Sequence, residues 1–251
     1  MSKYISISRS RALTACESRV SSVLFSIAKQ ILLATKKYRR PGRITNESRF
    51  LDDARAIAAR AADSVEECIS KYSLASAKSL GIDSGMIESF LSSQVHGKTS
   101  RERTSQYLAN FAEDIFRMAK AASLMRYTDS QLLSAVRTGY KSPYVTSVIT
   151  KARKKDINIA TPSYGRGILH SAYQNLIRNA RQMVALAWGR AEQQYGKDHG
   201  AVAYRVFRGS SFPCPVCDDE TAYVHHFGDP FPPFHLNCRC WVQFIYDNDN
   251  E

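Results

Sequence analysis

Apolar positions recur at helical intervals as far as Tyr195, and a strand-like alternation sets in only beyond Gly200. Between Arg19 and Tyr38, Val20, Val23, Leu24, Ile27, Ile31 and Leu32 fall on one face of a helix, with Pro41 and Gly42 as its stop. An Ala-rich stretch free of Pro and Gly predicts a second helix over Glu47 to Leu80, closed by Gly81. Thr99-Ser-Arg-Glu102 has the form of a capping box, in which Thr99 and Glu102 would each satisfy a free backbone N–H, and it opens a helix to about Tyr127. Thr128-Asp-Ser-Gln131 repeats the signal before a shorter helix that should stop at Gly139.

The segment SPYVTSVITKARKKDINIATPSYGRG reads as a basic connector with one helix in Val145 to Lys155, and Tyr164-Gly-Arg-Gly167 as its final turn. From Ile168 to Gln194 a long helix returns on Leu169, Ala172, Tyr173, Leu176, Ile177, Ala180, Val184, Leu186, Ala187 and Ala191, ending at Tyr195 and Gly196. Val202, Tyr204, Val206 and Arg208 then alternate with Ala203, Arg205 and Phe207, and a second strand pattern follows in CWVQFIYD. These two strands should pair antiparallel and close the stretch between them as a loop. The pattern therefore predicts a mainly α protein: an elongated helical body with a small C-terminal α+β knuckle of two or three short strands. We divide it as residues 1–160, a basic helical region, and 161–251, a long helix plus the knuckle and a short acidic tail.

Composition adds a compartment and a polarity. No apolar run reaches the roughly 20 residues of a membrane span, and the start MSKYISISRSRALTACESR lacks the apolar centre of a secretory signal. The expected place of synthesis is a cytoplasm, with no membrane partner, and a reducing cytoplasm turns clustered cysteines toward metal binding. The formal charge is +12 overall, yet from His199 to Glu251 three arginines face seven acids, so the preceding 198 residues carry about +16. Lys36–Arg43 and Lys151–Lys155 are dense enough to neutralise DNA phosphates without reading sequence, and, with Tyr38 alone among them, aromatic residues are not interleaved as a base-stacking platform would require.

The loop closed by the two strands holds four of the six cysteines and three of the six histidines. Cys214-Pro-Val-Cys217 has the spacing by which two thiolates grip one tetrahedral ion, and His235-Leu-Asn-Cys238-Arg-Cys240 supplies the other half. The candidate ligands are Cys214, Cys217, His235, Cys238 and Cys240, five donors for the four positions of a structural zinc. A redox role for Cys214 and Cys217 would need a βαβ setting, and only strand and loop are expected there. Cys16 and Cys68, each within a helical pattern, read as small buried apolar residues.

Catalytic readings fare worse. The deaminase signature needs an HxE element ahead of PCxxC, and no HxE occurs in the chain. An HNH-like nuclease would use His225, His226 and Asn237, but the supporting helix after the finger is replaced by a strand pattern. No phosphate-binding P-loop and no nucleophile elbow is present.

Phe207-Arg-Gly-Ser-Ser-Phe-Pro-Cys-Pro-Val-Cys217 followed by Pro232-Pro-Phe-His-Leu-Asn-Cys-Arg-Cys240 resembles the C-terminal signature of the Mu F-like head morphogenesis proteins, minor head proteins of tailed bacteriophages. The likeness runs from about Gly167 to Tyr246. It departs from the family where Phe234 and Leu236 flank His235 in place of prolines, and where Asp218-Asp-Glu-Thr replaces a Gly-rich run. The resemblance implies a non-enzymatic virion component, present in low copy around the portal vertex, whose partners are portal and capsid proteins and, through its basic region, packaged double-stranded DNA. The competing expectations are a zinc-finger endonuclease and a stand-alone zinc-stabilised DNA-binding protein.

Overall fold

The computed structural model describes residues 2–95, 97–141, 172–235 and 238–247. The expected helix in Val145–Lys155, the Lys151–Lys155 run, Asn237 and the acidic tip of the chain lie outside them. The described residues are mainly helical with two small antiparallel sheets.

Helix α1 spans Ser2–Ala34, beginning well before the expected Arg19. Ile5, Arg9, Ala12, Cys16, Val20 and Leu24 are all buried at spacings of three or four, so one face continues to the start of the helix. It escaped the hydrophobic pattern because an arginine, an alanine and a cysteine occupy it. The helix ends at Ala34 rather than Tyr38, where the buried Thr35 hydroxyl donates to Ile31 O at 2.6 Å. A 3₁₀ turn, Lys36–Tyr38, then leads into a hairpin of β1 (Arg39–Arg40) and β2 (Arg43–Ile44), with Pro41 and Gly42 as its tip.

The single helix expected over Glu47–Leu80 is two, α2 (Glu47–Ala59) and α3 (Ala62–Leu80). Between them Ala61 N–H bonds Ala58 O in a tightened turn. Buried Ala58, Ala61 and Ala62 carry the apolar period across the bend, so periodicity cannot reveal it, and their small side chains let the chain turn there. Gly81, at φ +67, closes α3 as expected. Helix α4 (Ser84–Ser92) was not anticipated; Asp83 caps it by accepting from Gly85 N–H at 3.1 Å, and Ile87 and Phe90 are buried.

Helix α5 (Ser100–Leu124) starts directly after Thr99. Helix α6 (Asp129–Lys141) opens with the expected box: Gln131 N–H donates to Thr128 Oγ1 and Thr128 N–H to Gln131 Oε1 at 2.8 Å. Gly139 does not stop it, since one glycine inside a helix costs only about 1 kcal/mol. Helix α7 (Ala172–Asp198) likewise runs through Gly196, where the Phe244 ring occupies the place a Cβ would take.

Strand β3 (Ala201–Phe207) pairs antiparallel with β4 (Val224–His226) and β5 (Trp241–Tyr246), in the order β4-β3-β5. Tyr204 lies opposite His225 on one side and Phe244 on the other. The two strands read from the sequence do pair, but a bulge between Ala201 and Ala203 breaks the alternation and turns Val202 to solvent, leaving Ala203 and Tyr204 both buried. Helix α8 (Pro215–Glu220) stands where only strand and loop were expected. Pro215 presets φ for the first helical position, and Asp218 N–H bonds Cys214 O at 2.9 Å.

Packing groups the chain into two compact units. One is Met1–Ser18, Glu67–Ser100 and Arg178–Glu251; the other is Arg19–Glu66 and Arg101–Ile177. Phe50 and Phe116 meet edge to face in the core of the second. Cys16 and Cys68 are buried in the first, and burial above all, then the neighbouring Cys68, pushes the Cys16 thiol up to about 12, the state of an inert thiol.

Candidate metal centre

The loops that leave β3 and enter β5 converge because their backbones touch. Gly209 lies against Arg239 O, where no other residue fits, and Phe207 stacks on Trp241 at 4.4 Å between ring centres. The Arg208 guanidinium ties the first loop down by pairing with Asp218 and donating to the carbonyls of Phe212 and Ser210. Asp218 in turn accepts from Cys214 N–H at 3.3 Å, which fixes Cys214 at the mouth of α8 with Cys217 one turn on. On the second loop Cys238 N–H bonds His235 O at 3.1 Å, so His235 and Cys238 bracket one turn and Cys240 follows at the foot of β5.

All five predicted ligands line one cavity of about 430 Å³. His235 Nε2 lies 2.9 Å from Cys217 Sγ and 3.3 Å from Cys214 Sγ, and Cys217 Sγ lies 3.9 Å from Cys238 Sγ. Two overlapping triads result, Cys214–Cys217–His235 and Cys217–Cys238–Cys240, each with donor atoms within 4.8 Å of one another. Cys217 belongs to both. A Cys/His cluster of this kind can hold a metal ion.

Electrostatics favour a thiolate within the second triad. The Cys240 thiol donates to Cys238 and holds it below the ordinary thiol range, while the same contact and burial push Cys240 up. Burial also raises Cys217, a cost that a bound cation removes. Cys217, Cys238 and Cys240 pack with Tyr204, Val206 and Val242 in one buried cluster, so the donors form part of the knuckle's core.

The candidate nuclease histidines lie outside this cluster of donors. His225 is fully buried, stacked on Tyr204 at 5.1 Å, and its Nε2–H donates to Glu220 O at 2.7 Å, while His226 is exposed on β4. The strands beside Cys214 and Cys217 are antiparallel, so α8 gives no βαβ setting for a redox pair.

Sequence reasoning missed two residues that hold the site. Arg9 on α1 donates to Cys240 O and lies 3.4 Å from Glu192 on α7, with side chains only 6% and 1% exposed. Burial pushes the Glu192 carboxyl up to about 7 against the opposing pull of Arg9. The available signal was a charged residue on each apolar stripe: Arg9 between Ile5 and Ala12, and Glu192 beside Trp188 and Ala191.

No helix among the described residues is long and apolar enough to cross a membrane. Comparison with protein families, curated proteins and solved structures finds no match to this chain.

Proposed function

We propose that this chain is a structural minor capsid protein of a tailed bacteriophage, acting in head morphogenesis at the portal vertex, with a C-terminal knuckle closed by zinc. The observation that carries this reading is the saturation of the cluster. Four protein ligands close a structural zinc site, whereas a catalytic one keeps a position for water, and here five donors surround one small space. Thiolate and imidazole suit zinc and exclude the hard cations that prefer oxygen. With bonds of about 2.3 Å to sulfur and about 2.0 Å to nitrogen, tetrahedral zinc sets its ligand atoms about 3.5–3.8 Å apart; the 3.3 and 3.9 Å spacings of Cys214–His235 and Cys217–Cys238 stand near this, while Cys217–His235, at 2.9 Å, would widen on binding.

The signature residues of the resemblance are those that build this clasp: Cys214, Cys217, His235, Cys238 and Cys240. On this reading the ion makes a core for a short, Pro-rich segment, and the acidic knuckle docks on portal or capsid protein. The basic region, residues 1–160, then meets the phosphates of packaged double-stranded DNA without reading sequence, and the chain is not an enzyme. The location is the virion, after synthesis in the host cytoplasm.

The test is co-expression of the full chain with the portal and capsid proteins of its own virus, followed by isolation of the heads. Incorporation that is lost with Cys217→Ser and kept with His225→Ala and His226→Ala supports the reading. Metal-dependent DNA cleavage by the purified chain, abolished by His225→Ala, His226→Ala or Asn237→Ala, replaces it with a nuclease. Salt-sensitive DNA binding with no incorporation into heads replaces it with a free DNA-binding protein.

A further inference from the structure

We propose that the cavity between the Arg39–Ile44 hairpin and the α5–α6 junction is a phosphate-binding site, with Arg40 and Arg126 as its principal donors. The cavity measures about 300 Å³, and Arg39, Arg40 and Arg126 line it against a single carboxylate, Asp129. That carboxylate is already taken, by Lys36 Nζ at 2.8 Å and by Arg39 at 2.7 Å. Arg40 spends hydrogen bonds on the Lys37 and Arg39 carbonyls, which leave its charge unopposed. Arg126 is exposed and has no side-chain partner among the described residues. Arg39 is nine-tenths buried, and its Nε finds no acceptor among the described residues, an arrangement native proteins rarely leave unanswered.

A second, independent observation comes from the backbone. Helix α5 ends in a Schellman motif, with Tyr127 N–H on Ala122 O at 2.9 Å and Arg126 N–H on Ser123 O at 3.1 Å. The left-handed residue of that motif is ordinarily glycine, yet Arg126 holds it at φ +57. An arginine strained at a position that favours glycine, and lining an arginine-rich cavity, points to a role for its guanidinium. The opposite wall is fixed as well, because Gly42 N–H at the hairpin tip bonds Ser123 O at 2.8 Å. Planar guanidinium forks on a fixed frame match the oxygens of a phosphate group.

The group bound is a phosphate, supplied either by the backbone of duplex DNA or as the free ion. Only the first source rests on the DNA-contacting role proposed above; the site itself rests on the cavity. The test titrates inorganic phosphate, and separately a short duplex DNA, into the full chain and its Arg126→Gly, Arg40→Gln and Lys197→Gln variants, Lys197 being exposed on α7 outside both this cavity and residues 1–160.

Arg126→Gly is expected to keep or raise the thermal midpoint while weakening phosphate binding about tenfold and lowering the slope of log affinity against log salt for DNA by about one. Arg40→Gln should weaken both ligands and Lys197→Gln neither. Phosphate binding without duplex binding upholds the site, assigns it to the free ion and removes the DNA contact. Duplex binding that Arg126→Gly and Arg40→Gln leave unchanged overturns the site while leaving the DNA contact standing. Binding of neither ligand overturns both.

Discussion

Cys217 carries more of the candidate metal site than any other residue, because its sulfur belongs to both donor triads. Cys217→Ser should therefore weaken metal affinity by more than about 100-fold, beyond the 10–100-fold typical of outer-shell losses. Cys214→Ser and Cys240→Ser each break only one of the two triads and should cost less. Competition with a chromophoric chelator gives the ranking, and equal losses at all three positions would contradict the overlap of the triads. Glu192 makes a second residue-scale prediction. A carboxyl raised from its ordinary 4.5 to about 7 binds more protons when folded than when unfolded across that interval. Its contribution to stability is then present below about pH 4.5 and is lost as the pH rises through 7, on the order of 3 kcal/mol at most. Denaturant midpoints against pH should fall more steeply over that window for the wild type than for Glu192→Gln; parallel curves would show that the carboxyl does not titrate there.

At the scale of elements, what the sequence made legible follows from what each position does. Pairing of β3 with β5 could be read because both strands alternate and enclose one loop, and the α6 start because Thr128 and Gln131 are chemically specific caps. The boundary between α2 and α3 could not, since Ala58, Ala61 and Ala62 bury equally well in one helix or two. The first half of α1 was hidden by Arg9, a charge whose burial rests on Glu192 from α7 and on the Cys240 carbonyl. For the site, the five donors could be named from spacing alone, whereas Arg9 and the hub position of Cys217 depend on contacts distant in sequence. The close approach of Gly209 to Arg239 O is of the same kind, and it is testable. Gly209→Ala forces a Cβ against backbone that cannot yield, so it should cost about 3 kcal/mol, the upper end for overpacking, read from the urea midpoint of the metal-loaded protein. A change below about 0.5 kcal/mol, the range of ordinary surface substitutions, would show that the two loops are not held together there.

For the whole molecule, the account makes metal binding part of folding in the knuckle, whose buried core is half made of the candidate donors Cys217, Cys238 and Cys240. Removing the ion should open the loops between β3 and β5 to protease, while Arg19–Glu66 and Arg101–Leu124, which take no part in the cluster, keep their helical signal. The uneven charge has a matching consequence: DNA affinity should belong to the basic region and survive removal of the metal. The measurement that bears most directly on the central claim is elemental analysis of the full chain, purified without chelators, before and after chelation, with circular dichroism on the same samples. The account predicts one zinc per chain, lost together with the β-sheet signal of the knuckle. A metal-free chain whose C-terminal sheet is folded and protease-resistant would contradict it.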